Sequence, residues 1–183
     1  MYNKESKVYK MSVGGLLLAI GIIIPGLFHI FGTPNLGRMF LPMHLPIFIA
    51  GIYLGELYGL VIGFITPLIN SIFGMPLFPQ NIIMALELAA YGFFAGFVIY
   101  LLKNLKAVMP VKVYISLITS MIAGRIVNAL ILLVMARLLG MNVPAPVSVL
   151  SAAVFGIPGI IIQLLLVPAI VLVLSSFKEK HNR

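Results

Sequence analysis

The sequence contains no aspartate and no cysteine, and its only acidic residues are Glu5, Glu56, Glu87 and Glu179. The absence of Asp excludes paired-aspartate acid–base sites, EF-hand loops and Walker-B magnesium sites. The absence of Cys excludes disulfides, thiol nucleophiles and thiolate metal sites, and leaves the redox compartment undetermined. No H-E-x-x-H, G-x-S-x-G or G-x-x-x-x-G-K-[ST] motif occurs, so neither a catalytic site of known type nor ATP hydrolysis by this chain is indicated. Charge itself is scarce, at 9% of residues against roughly 25% in a soluble domain. Apolar residues fill the space: 62% of the 183 residues are hydrophobic, and the mean hydropathy is +1.18. A water-soluble body of this size would need far more polar surface, so the outer face must meet hydrocarbon.

A spanning helix needs about 20 apolar residues to cross a core of roughly 30 Å. Six uncharged runs answer to that: 11–31, a short 41–55, 59–73, 82–102, 113–139 and 149–177. Gly32, Thr33, Pro34, Asn35, Gly37 and Arg38 form a predicted loop after the first, and Glu56 to Tyr58 a tight turn before the third. Pro158 and Pro168 are expected to bend the sixth. The first run follows Lys4, Lys7 and Lys10 without an A-x-A pattern, which favours a retained span over a cleaved signal. Those three lysines, Lys103, Lys106 and Lys112, and Lys178, Lys180 and Arg183 fall on one side, leaving Arg38 and Arg137 for the other. The fold class expected is therefore all-α: one integral membrane bundle of six transmembrane helices over 1–183, both termini cytoplasmic. A net charge of +8 then reads as an orientation signal, with no nucleic-acid partner implied. Gly51, Gly55, Gly59 and Gly63, with Gly92 and Gly96, repeat at spacing four, the mark of close helix packing.

Ionisable side chains inside a span cost at least about 2.5 to 3.5 kcal/mol, so each is a candidate for function. Two qualify, Glu87 in span four and Arg125 in span five, with Tyr91, Asn128 and Gln163 as neutral companions. Asn70, Ser71, Gln80 and Asn81 mark the outer loop between spans three and four, and Asn81 joins the candidate substrate contacts. At 1.5 Å per residue Glu87 lies about 8 Å below the outer surface, Tyr91 about 14 Å, Asn128 about 17 Å, and Arg125 and Gln163 about 21 Å. A depth difference of about 12 to 14 Å argues against a direct Glu87–Arg125 pair. The pairs Glu87/Tyr91 and Arg125/Asn128 each share a helix face, and inward-facing they would line a cavity open to the outside. His29 and His44 are placed at the outer interface as wet, non-ligand residues, and the sequence offers no metal-ligand spacing.

Met43-His44-Leu45-Pro46 to Gly51, then Gly55, Tyr58-Gly59, Gly63, Pro67-Leu68, Gly74-Met75-Pro76 and Glu87-Leu88-Ala89-Ala90-Tyr91-Gly92 resemble the substrate-binding S component of energy-coupling factor (ECF) vitamin transporters. The resemblance covers nearly the whole chain and is strongest to the pantothenate-type branch. It implies a vitamin-binding subunit in the cell membrane of a prokaryote, working with one transmembrane scaffold subunit and two ATPase subunits. ATP would be used by those partners, no cofactor by this chain, and cargo would be released inside when the subunit topples. It also implies a scaffold contact through an A-x-x-x-A pattern in span one, which Gly15 and Ala19 match with Gly in the first position. Pantothenate would set its carboxylate on Arg125 and its remaining groups on Glu87, Asn128 and Gln163. A cationic thiamine precursor, or a hydroxymethylpyrimidine- or pyridoxine-like compound, would use Glu87 as counter-charge with Tyr91 stacked on its ring. A self-sufficient carrier or channel, and a membrane enzyme, are the readings from other classes.

Overall fold

The computed structural model describes residues 7–31, 34–74 and 76–181. The predicted contributions of Lys4, Gly32, Thr33, Met75 and Arg183, and of the His29 side chain, lie outside the described residues. Among the described residues every regular element is helical. Helix α1 (Lys7–Phe31) is followed by a short α2 (Pro34–Phe40), α3 (His44–Ile49), a π-turn over Ala50–Leu54, and α4 (Glu56–Ile72). Next come α5 (Gln80–Leu101), a single 3-10 turn (Leu102–Asn104), α6 (Met109–Arg137), α7 (Ser148–Phe155) and α8 (Ile157–His181). Among the described residues five segments are long and apolar enough to span a bilayer: Lys7–Leu27, Leu36–Leu54, Gln80–Asn104, Met109–Arg137 and Ile157–Ser176. The shorter apolar helix α4 joins them; its 17 residues are about 26 Å long.

Several boundaries differ from expectation for physical reasons. The predicted 32–38 loop is helical from Pro34, a residue pre-set for a first helical position, and Leu41 then reverses the chain at φ 51. The turn expected at Glu56–Tyr58 is compressed into Gly55 alone, at φ 114, so Glu56 already sits in the first turn of α4. The sixth run is two helices broken at Gly156, not one bent span. At the break Gly156 and Gly159 lie against Leu41 and the Phe40 and Met39 carbonyls, where an added side chain would collide with the end of α2. Pro158 occupies the second position of α8, where its missing N–H costs nothing, and Pro168 lies inside the helix as predicted.

The glycine stripe builds the centre of the bundle. A Cβ on Gly59 would fall on the Gly92 carbonyl, one on Gly92 on the Gly59 carbonyl, and one on Gly63 on the Leu88 carbonyl. The pairings 59/92 and 63/88 are those of antiparallel α4 and α5 with touching backbones. Gly51, in the π-turn, meets the same Gly92 carbonyl, so three chain segments cross at one point. Helix α6 runs antiparallel to α5: Ser116 Oγ donates to the Ala95 carbonyl near one end, and Gly124 faces Tyr91 further along. Asn70, buried in α4, donates to the Gly21 carbonyl of α1 at 3.2 Å and to Thr66 at 3.0 Å, tying the first helix to the centre.

Candidate functional site

Glu87, Tyr91, Arg125 and Asn128 converge between α5 and α6. Glu87 Oε1 accepts from Tyr91 Oη at 3.0 Å and from Arg125 Nη1 at 3.0 Å, while Oε2 accepts from Asn128 Nδ2 at 2.6 Å. Glu87 and Arg125 are thus an ion pair, which corrects the expectation drawn from their depths. Helix α5 begins at Gln80 and α6 ends at Arg137, each two residues earlier than predicted, which brings the two positions toward one level, and the long arginine chain closes the rest. Their side chains retain 21% (Arg125) and 7% (Glu87) exposure. Gly124 makes the arrangement possible, because a Cβ there would enter the Tyr91 ring.

Beside this cluster lies a cavity of about 580 Å³, within the range of small-molecule sites. Arg125, Tyr91, Gln163 and His44 give its wall polar character; Leu41 and Phe48 adjoin them. The remaining wall is apolar, and on one flank Ile118, Ile122 and Ile126 of α6 face Val147 and Leu150 of the 138–147 connection and α7. Those five side chains are about half exposed or more, so the flank between α6 and α7 is loosely closed. Glu87 and Asn128 stand behind the wall, not in it, and reach the cavity through Arg125 and Tyr91. Gln163, 2% exposed on α8, donates from Nε2 to the Leu41 carbonyl at 3.4 Å, leaving Oε1 for the cavity. Leu41 holds its positive φ at this contact; a non-glycine residue in that region marks strain maintained by its surroundings.

Asn81 is elsewhere. Its Nδ2 donates to Ser71 Oγ at 3.0 Å and its Oδ1 accepts from the Ile82 backbone at 2.8 Å, so both ends secure the start of α5, and it is not part of the cavity wall. Asn70 and Ser71 likewise serve packing, as above.

His44 was expected at a wet interface and is not there. It is 6% exposed, packs against Tyr91 with ring centroids 5.2 Å apart and against Phe48 at 6.5 Å, and neither ring nitrogen has a hydrogen-bond partner. A signal for it was present in Pro46. A proline two positions after His44 fits a helix's first turn, which makes His44 the residue that starts α3 and enters the bundle. No group of three His or Glu that could hold a metal occurs among the described residues.

An apolar helical bundle with a cavity between its helices and a guanidinium in the cavity wall is built to hold a small molecule within a membrane. The chain belongs to the family of the ECF transporter substrate-specific component, whose family model matches residues 10–171. Membership makes it a membrane subunit that binds a small vitamin-type substrate for an ECF importer and associates with an ECF module; the family is one of transporter subunits, not of enzymes. No curated protein and no solved structure matches the chain.

Proposed function

We propose that this subunit captures pantothenate with high affinity from the outer side and delivers it inward by toppling within the membrane, powered by two ATPase subunits through a transmembrane scaffold. One observation carries the choice of cargo. The Glu87 carboxylate is already engaged by Tyr91, Arg125 and Asn128, whereas Arg125 borders the cavity with N–H groups to offer. A wall whose charged member is a cation favours an anionic substrate, and a guanidinium binds a carboxylate through paired N–H donors. The same observation argues against a thiamine-precursor, hydroxymethylpyrimidine or pyridoxine-like cargo, since each would want Glu87 as its counter-charge. Gln163 Oε1 is available to the substrate amide. Gly15 on α1, where a Cβ would meet nothing within 4 Å, and half-buried Ala19 one turn on are the proposed contact with the scaffold.

Calorimetric titration of purified protein with pantothenate tests the cargo. Wild-type protein is expected to bind, and Arg125→Ala to lose about 100-fold or more, in line with a charge-assisted pair of about 2 to 3 kcal/mol. Undiminished affinity in Arg125→Ala eliminates the carboxylate assignment.

A further inference from the structure

The imidazole of His44 presents a buried polar problem that the protein alone does not solve. Both ring nitrogens are buried without a hydrogen-bond partner, and the ring borders the cavity. Phe48 and Tyr91 pack beside it at tilted angles, and neither makes a hydrogen bond to its nitrogens. The Leu41 carbonyl lies near the ring, but no well-formed bond joins them, and this oxygen already accepts from the His44 backbone N–H at 3.1 Å and from Gln163 Nε2. Leaving a buried donor and acceptor unmet costs about 1 to 3 kcal/mol each, a cost that bound substrate can remove.

The polar atoms around the ring narrow what that substrate group must be. Arg125 supplies donors only, and Gln163 one acceptor and one further N–H. A neutral imidazole adds one N–H and one bare nitrogen. The bare nitrogen needs a donor from the substrate, which a carboxylate cannot give. A hydroxyl can donate to it and still accept from a neighbouring N–H, the smallest group that satisfies both. On this basis, and resting on the anionic-substrate reading above, we propose that His44 is the specificity-determining residue that selects a hydroxylated carboxylic acid, accepting a hydrogen bond from a substrate hydroxyl while Arg125 holds the carboxylate.

The experiment compares pantothenate with N-(3,3-dimethylbutanoyl)-β-alanine, which keeps the carboxylate, the amide and the whole carbon skeleton but lacks both hydroxyls. Affinities for the two are measured in wild type, in His44→Phe, which preserves the ring packing, and in His44→Gln, which preserves a donor and an acceptor. Thermal unfolding of each variant is recorded in parallel. Wild type is expected to prefer pantothenate by about tenfold or more. His44→Phe is expected to bind the two within about twofold of each other, with affinity for the dideoxy compound unchanged, and His44→Gln to retain part of the preference. Wild-type discrimination persisting in His44→Phe overturns the assignment, as does an equal loss for both compounds, which is what a purely structural histidine or one bound to the carboxylate would give. Pantothenate binding by wild type combined with either result removes only the role of His44. No binding of pantothenate by wild type removes the cargo reading and this assignment with it.

Discussion

Glu87 acts on the cavity without bordering it. A carboxylate largely withdrawn from water is tolerable only when its lone pairs are met, and here three donors from two helices meet them. In return it fixes the Arg125 guanidinium through Nη1, at the edge of the cavity that Arg125 borders. Glu87→Gln keeps the shape but removes the charge. Breaking a buried pair costs about 3 to 5 kcal/mol, and the 21% exposure of Arg125 lowers the expectation to about 2 kcal/mol. Thermal or denaturant unfolding in detergent is expected to show that loss, and pantothenate affinity to fall about tenfold, less than in Arg125→Ala. Equal losses in the two variants would mean that the substrate touches Glu87 directly. The two residues were legible in the sequence as charges out of place; their pairing was not, since a shift of two residues at a helix end moves a predicted depth by about 3 Å. His44 was misplaced for a related reason: a second run begun at 41 puts His44 three residues from its outer end, whereas the apolar span begins at Leu36 and carries His44 deeper.

The helices owe their crossing to the absence of side chains. At Gly59, Gly63 and Gly92 backbone lies directly on backbone, so an added methyl has no flexible neighbour to displace. Gly59→Ala and Gly92→Ala are each expected to destabilise by about 3 kcal/mol or more, at the upper end of overpacking, with poor recovery of folded protein as the readout. Gly124→Ala is a finer probe. Its methyl would enter the Tyr91 ring and push it toward the cavity, so pantothenate affinity is expected to fall about tenfold while the protein remains folded. Wild-type affinity in that variant would show that Tyr91 has room to move. Gly15→Leu meets open space instead. It is expected to leave unfolding temperature and pantothenate binding unchanged and to abolish co-purification with the scaffold subunit; retained co-purification would place the contact on another face. Spacing four made this packing readable in advance, except at Gly55, which shares the spacing but serves as the turn between the π-segment and α4. The break at Gly156 was hidden: it lies against the end of α2, a helix that the run Pro34-Asn35-Leu36-Gly37 does not advertise.

At the scale of the whole molecule, the distribution of charge predicts an orientation, and family membership implies association with an ECF module. Lys103, Lys106 and Lys112 cluster at the α5–α6 connection, whereas the 138–147 connection beside the cavity carries no charge. The positive-inside rule predicts that the first lies in the cytoplasm, which would have the cavity reached from outside. Because the chain has no cysteine, single substitutions can report this without further changes. Asn142→Cys and Lys106→Cys both replace exposed residues in connections. A membrane-impermeant thiol reagent applied to intact cells is expected to label the first and spare the second until the membrane is opened; the reverse pattern would invert the topology and put the cavity mouth inside. Energy follows from the same accounting of residues. Glu87, the buried carboxylate behind the cavity wall, is tied to an arginine, and the family works with an ECF module. In liposomes the chain alone is therefore expected to bind pantothenate without accumulating it, and uptake to appear only when the scaffold and ATPase subunits are added with internal ATP. Accumulation by the chain alone would make it a self-sufficient carrier, and the engaged state of Glu87 would then have to be one of two that it adopts in transport.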